Sequence, residues 1–252
     1  MTPILQAPAQ IPVSTERPSV TAVPVRGTVT ILIPTKNEEA GIGETLRAIP
    51  LAALAQQNWL VDLLVVDGSS RDRTREIAAN LGARVVVRRG NGKGNDFRAA
   101  LSAIKGDIVV MIDADNTYPA EAIPEFVEAA ANGSDVVMGT RLKGRIEEGA
   151  MTSTNRFGNR ALSLLASVLY GRRCTDVCTG MWAFKRSALD KLHLNAERFE
   201  IEAELFAQSA KAGLRIKEIP IQYRLRSGKS GLSAWKDGPK IAAKLARKRI
   251  VR

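Results

Sequence analysis

Residues 108–112, Ile-Val-Val-Met-Ile, form an unbroken apolar run bounded by Gly106-Asp107 on one side and Asp113 on the other. Such a run reads as a strand buried on both faces, as in a parallel sheet covered by helices. It ends in two carboxylates, Asp113 and Asp115, one residue apart. At period two, side chains i and i+2 point to the same side. Both acids are therefore expected to face one point at the carboxyl edge of the sheet, where open α/β folds hold their ligands. Two close carboxylates repel, and a hard divalent cation such as Mg²⁺ or Mn²⁺ relieves this while leaving positions for diphosphate oxygens. An isolated D-x-D is more often a strand ending in solvated acids, so the reading depends on what else reaches that edge.

The rest of the chain repeats the same pattern. Residues 28–34 (TVTILIP) and 61–67 (VDLLVVD) read as buried strands, 84–88 as a short third and 135–139 (DVVMG) as another. Helices are expected from Lys36 to about Ile49, over 72–81 with Gly82 as its stop, from the GNGKGND stretch to about Ile104, and over 120–131. Strands alternating with helices of this length mean βαβ units and a mainly parallel sheet. After Gly139 the rhythm changes: helices over 155–170 and 200–212, strands over 178–184, 214–219 and 221–226. The proline-rich residues 1–27 read as a disordered leader, 28–235 as one α/β domain, and 236–252 as a basic amphipathic helix with Ile241, Leu245 and Ile250 on its apolar side.

Composition removes several function classes. No apolar run approaches the roughly 20 residues of a spanning helix, and the N-terminus has no charged start or sustained apolar core, so it is not read as a signal peptide. The one histidine, His193, would have to carry a catalytic triad or a His-based metal site alone. Cys174 and Cys178 lack the spacing and partners of a zinc site and read as packing residues. Residues 1–140 carry 13 Lys+Arg against 16 Asp+Glu, whereas 141–252 carry 24 against 10. The acidic half would hold a metal and the basic half would meet something anionic.

Other strand ends reach the same edge: Lys36, Asn37 and Glu38 after the first, Asp67 after the second. Each singly could be a turn former or a helix cap. Three strand ends converging beside a metal-type pair favour a binding site suited to a nucleoside diphosphate.

Taken in order, IPTKNEE (33–39), VVDGSSRDRT (65–74), GKG (92–94), DADNTYP (113–119), GTR (139–141), NRFGNR (155–160), DVCTGMWAF (176–184), FEIEAEL (199–205) and IPIQYRLRSGKSGLS (219–233) resemble the inverting, metal-dependent family 2 glycosyltransferases of the GT-A fold. Their order and spacing are most similar to the subgroup that makes dolichyl- or polyprenyl-phosphate sugars. The resemblance covers about residues 28–235 and implies a Rossmann-like, mainly parallel sheet with flanking helices. It also implies residue roles. Pro34, Asn37, Glu38 and Asp67 would hold the nucleoside, with Lys93 near the base. Asp113 and Asp115 would bind Mg²⁺ or Mn²⁺ and the diphosphate. Arg141 and Arg156 would bind the acceptor phosphate, and Arg224, Arg226 and Lys229 would cover the diphosphate or the lipid head group. Thr117 stands where the mannose enzymes often carry Gln, which opens glucose or N-acetylhexosamine as the donated sugar beside mannose.

These roles make Asp113, Asp115 and Arg141 the expected catalytic set, a GDP- or UDP-linked hexose such as GDP-mannose the donor, and a polyprenyl or dolichyl phosphate the acceptor. A phosphate monoester has a second pKa of about 6 and is largely ionised at neutral pH, so no general base is needed. Basic residues near an anionic leaflet contribute roughly 1 kcal/mol each. The tail helix is therefore expected to attach the enzyme peripherally at the cytoplasmic face of a membrane, with a separate membrane-anchoring partner as a further expectation. Three rivals stand beside this: a soluble family 2 enzyme acting on a sugar hydroxyl or small phosphorylated acceptor, a nucleotidyltransferase, and a nucleic-acid binder. The last is disfavoured by low aromatic content and the absence of a nucleic-acid motif.

Overall fold

The computed structural model describes residues 24–88, 92–228 and 234–250. The elements run β1 (Gly27–Thr35), α1 (Ile42–Ala48), α2 (Leu51–Gln56), β2 (Trp59–Asp67), α3 (Thr74–Asn80), β3 (Arg84–Val87), α4 (Lys93–Ala100) and β4 (Ile108–Met111). They continue through a 3₁₀ turn (Ala120–Ala122), α5 (Ile123–Ala131), β5 (Val136–Thr140), α6 (Ser153–Tyr170), β6 (Trp182–Lys185), α7 (Arg186–Leu189), α8 (Ile201–Lys211), β7 (Ile216–Pro220) and α9 (Ala234–Ile250). Among the described residues the strands form one seven-stranded sheet in the order β3-β2-β1-β4-β6-β5-β7. β6 alone runs antiparallel to its neighbours β4 and β5, and the other pairings are parallel. This is the expected GT-A architecture.

The apolar runs are unbroken because successive residues of one strand feed different layers. Ile31, Ile33, Val65 and Val110 pack beneath α1, α3 and α5, with Ile42, Leu46, Ala78 and Phe126. Leu32, Leu64, Val66, Val109 and Met111 point the other way, onto Phe97, Leu205, Ile241 and Leu245 from α4, α8 and α9. A strand covered on both faces admits a polar residue in its middle only when it is paired, as Thr30 is with Asp62, and the chemistry is collected at the strand ends.

Several local expectations shift. The first helix starts at Ile42 because residues 36–41 make an irregular turn at the sheet edge, with Asn37 at φ 54°. Residues 178–181 are not strand; Thr179 is instead buried and its carbonyl accepts from the Trp182 indole at 2.7 Å. Residues 221–226 leave the sheet after Pro220, with only an isolated bridge from Tyr223 to Ile146. Their backbone crosses to Arg145 O (2.8 Å from Tyr223 N) and Thr117 O (2.9 Å from Arg224 N). Of the expected leader, 1–23 lies outside the described residues, and Gly27 already belongs to β1.

The tail helix exists, but its apolar side is spent. Ile241 and Leu245 are buried in the core, each worth about 1.5–3 kcal/mol. Lys248 Nζ meets the buried Glu204 carboxylate at 2.5 Å, and the Tyr170 hydroxyl donates to Leu245 O at 2.8 Å. Of the three apolar residues expected to enter a bilayer, Ile250 is left exposed. Among the described residues no helix is long and apolar enough to cross a membrane.

Candidate active site

The turns after β1, β2 and β4 each place a non-glycine residue in the left-handed region: Asn37, Ser69 and Asn116, at φ 54°, 64° and 60°. Such φ values are uncommon outside glycine and sharpen the chain reversal at the carboxyl edge. β4 ends at Met111, and Asp115 belongs to the turn that follows. The two acids therefore converge through turn geometry and not through strand alternation. The turn is wedged by glycines: a Cβ on Gly180 would lie 2.3 Å from Asp113 Oδ2, and one on Gly41 would lie 2.8 Å from Ala114 O. The Thr117 backbone N–H and hydroxyl donate to Asp115 Oδ1 at 3.1 and 2.7 Å. Thr117 thus orients Asp115.

This edge opens into a cavity of about 1180 Å³. Pro34, Asn37, Glu38, Lys93, Asp113, Asp115, Arg141 and Arg226 all line it. Asp67, Arg156 and Arg224 are not among its lining residues. Asp67 is fully buried and accepts from the Ser70 backbone at 2.9 Å and from its hydroxyl, so it shapes the β2 turn. Arg156 is exposed on α6, and Arg224 pairs with Glu121. Lys229 lies outside the described residues.

The lining carboxylates are held in a connected charge cluster. Lys93 Nζ sits 2.5 Å from Asp113 Oδ1 and 2.5 Å from Glu202 Oε1. Arg226 reaches Asp115 Oδ2 at 2.7 Å and Glu38 Oε1 at 2.6 Å. Four carboxylates thus share two cations. The shortfall shows in their acidity. Burial, opposed by Arg226 but helped by Asp115, pushes Glu38 up to about 7. Burial and then Asp113 push Asp115 above the usual carboxylate range. Lys93 is shifted upward too: burial disfavours its charge, but Asp113 and Glu202 outweigh it and hold the ammonium protonated.

A divalent ion fits this donor set on charge and on ligand type, since the cluster is two positive charges short and offers hard oxygens. Among the described residues no three metal-type side chains converge as a ready cage. Asp113 and Asp115 would supply one or two ligands and leave the rest to diphosphate and water, a common Mg²⁺ arrangement. The buried Nε of Arg226 has no partner among the described residues, which leaves a donor for an incoming anion.

Arg141 is held differently. It is 6% exposed, and its Nε and Nη2 meet the two oxygens of the fully buried Asp176 at 2.7 Å each. The same Nη2 reaches Cys178 O at 2.9 Å, and the guanidinium lies 5.1 Å from the Tyr223 ring centroid and 6.0 Å from that of Tyr118. Burial works against its charge, but Asp176 overrides that. The Tyr118 hydroxyl accepts from Gly180 N at 2.6 Å, which ties this group to the glycine beside Asp113. Glu202 and Asp176 were not singled out from the sequence. Both lie inside quoted motifs, FEIEAEL and DVCTGMWAF; Asp176 is the lone acid of its stretch, whereas Glu202 is one of three alternating glutamates and carries no such signal.

The cavity also has an apolar end. Ala150, Met151, Gly158, Ala161 and Leu162 from the α6 side and Pro239, Ile241 and Ala242 from α9 line it. A second, shallower depression of about 670 Å³ lies around Arg26, Trp59 and Arg186, at the opposite edge of the sheet, and holds none of these residues.

Residues 30–193 match the sequence model of glycosyl transferase family 2. The chain belongs to that family and is a glycosyltransferase of the GT-A fold. It is 36% identical over 217 residues to the dolichyl-phosphate hexose transferase of Haloferax volcanii, covering 86% of this chain and 92% of that one. It is 35% identical over 213 residues to the low-salt glycan biosynthesis hexosyltransferase Agl6 of the same organism, where it spans only 51% of the relative's length. Among solved structures it superimposes on glucosyl-3-phosphoglycerate synthase from Mycobacterium tuberculosis in complex with uridine diphosphate, with a TM-score of 0.72, 24% identity, and coverage of 90% of this chain and 82% of that one. That likeness is one of fold.

Proposed function

We propose that this glycosyltransferase moves a hexose from a GDP- or UDP-linked donor to a polyprenyl or dolichyl phosphate, with inversion at the anomeric carbon, at a membrane surface. The observation that carries the reading is the change of character along one cavity. Its polar end is a carboxylate cluster short of two positive charges, and its other end is an apolar cleft between α6 and α9. A nucleoside diphosphate sugar with a divalent ion suits the first, and an isoprenoid chain suits the second. The name of the Haloferax dolichyl-phosphate hexose transferase, which shares most of its length with this chain, points the same way.

In the reaction the bond from the anomeric carbon to the diphosphate oxygen breaks, and a bond to the acceptor phosphate oxygen forms on the opposite face. When bound on Asp113 and Asp115, Mg²⁺ or Mn²⁺ would neutralise charge on the departing nucleoside diphosphate. Arg226 and Lys93, already at that end of the cavity, would hold the diphosphate as its charge grows. Pro34, Asn37 and Glu38 would line the nucleoside. Arg141, locked by Asp176, would present a fixed positive charge to the acceptor phosphate, whose oxygen is already ionised and needs only positioning.

The test is incubation with Mg²⁺ or Mn²⁺, a polyprenyl phosphate and a panel of labelled GDP- and UDP-sugars. Label extracting into organic solvent with one donor, and lost with a chelator, is the expected result. Label that stays aqueous with every donor, or moves only to a small water-soluble phosphorylated acceptor, overturns the lipid acceptor.

A further inference from the structure

α6 has an outer face that no other element covers among the described residues. Phe157, Leu164 and Val168 stand 75%, 66% and 73% exposed, and the spacing of 7 and 4 places them in one line along the helix. Ser163 and Ala166 are buried on the other side. The stripe sits in an unusual charge environment: residues 149–175 contain Arg156, Arg160, Arg172 and Arg173, all exposed, and no carboxylate. Single exposed apolar residues are ordinary, but an apolar line with a one-signed basic border is the mark of an interfacial helix on an anionic surface.

We infer that the Phe157–Leu164–Val168 face of α6 is the surface with which this protein docks on an anionic lipid bilayer, lying in the plane of the head groups. Charge selects this occupant over a second copy of the chain. Two such faces brought together would oppose arginine to arginine, with no acid in the segment to offset them. The placement also has a consequence for the site. Ala161, within the same stripe, and Gly158 and Leu162, on the adjoining side of the helix, line the apolar end of the cavity. Seating α6 in the head-group layer therefore brings that end to the lipid. The tail helix is a poorer candidate, because its Ile241 and Leu245 are already buried in the core.

This deepens the lipid-acceptor reading and rests on it for the meaning of the docking, but binding is measured without turnover, so the two can fail separately. The full chain is sedimented with vesicles of phosphatidylcholine alone and of phosphatidylcholine mixed with phosphatidylglycerol. The expected result is salt-sensitive binding to the anionic vesicles, reduced at least about tenfold by Leu164→Glu and by Val168→Glu and changed less than about twofold by Arg249→Gln on α9. Both substituted positions are exposed, so unchanged thermal unfolding is expected, and Leu164→Ser provides a milder variant. Wild-type protein that ignores anionic vesicles, Leu164→Glu binding as wild type, or Arg249→Gln losing as much as Leu164→Glu overturns the assignment. So does a dimer that Leu164→Glu dissolves while vesicle binding persists. A water-soluble short-chain prenyl phosphate, supplied without vesicles, should be turned over equally by wild type and Leu164→Glu. If neither uses it while the vesicle results hold, the acceptor reading fails and the docking face stands.

Discussion

Two ion clusters, one buried and one half-buried, line the same cavity and are built on opposite principles. Around Arg141 one guanidinium meets one carboxylate in a bidentate pair, backed by Cys178 O and two tyrosine rings. Its charges balance and its geometry is fixed. Around Asp113 and Asp115 four carboxylates share Lys93 and Arg226, and Glu38 is pushed up to about 7 by burial. A balanced cluster is complete as it stands. An acid-rich one is held at a cost that a further cation would remove. The difference separates a positioned electrostatic fixture from a site waiting for a ligand.

Three substitutions or conditions sharpen this contrast. The largest effect is expected at Asp115. Asp115→Asn should lower sugar transfer by roughly 10³-fold, yet leave thermal unfolding unchanged or raised, because burial and Asp113 already disfavour the charged form and the amide oxygen can still accept from Thr117. A large drop in stability on Asp115→Asn would mean that the cluster is structural. Next comes Asp176→Ala, which strands a 6% exposed guanidinium. Removing one partner of a buried pair costs about 3–5 kcal/mol, readable by denaturant unfolding, and a change below about 1 kcal/mol would show that water reaches Arg141 easily.

The smallest effect is a pH dependence. With its folded value raised to about 7 from an ordinary 4.5, Glu38 favours its protonated form in the fold. Its ionisation therefore lowers stability as pH rises across that window. Cation binding has the opposite sign, since a cation on Asp113 and Asp115 is attracted by the ionised Glu38 beside them. Mn²⁺ affinity should rise about tenfold between about pH 6 and 8, and Glu38→Gln should flatten the rise. A flat wild-type profile would remove Glu38 from the cation's surroundings.

Much of this was legible in the sequence, for reasons that can be located. The runs TVTILIP, VDLLVVD and IVVMI are mostly apolar, on both sides of the period-two alternation, because both sheet faces are covered, so they announce themselves. Pro34, Asn37, Glu38, Lys93, Asp113 and Asp115 all reach the cavity because each sits at or just beyond the edge of the sheet. What was not legible depended on distant partners. Lys93 meets Glu202 across 109 residues of chain and Arg141 meets Asp176 across 35, and no local period encodes either pair. That Ser70 folds back onto the Asp67 carboxylate is likewise set by the turn after β2 and not by any local period. α6 and α9 both read as amphipathic. Only tertiary packing decides that Ile241 and Leu245 face the core while Leu164 and Val168 face outward. Residues 221–226 read as a strand, yet Pro220 ends the pairing, and Tyr223 and Arg226 line the cavity instead.

The most direct test of the acid-rich cluster is electron paramagnetic resonance of Mn²⁺ titrated into the full chain with a nucleoside diphosphate present. One bound Mn²⁺ per wild-type chain, and none in the Asp113→Asn/Asp115→Asn double variant, is the expected result. Equal binding in both proteins, or no binding in either, would contradict it.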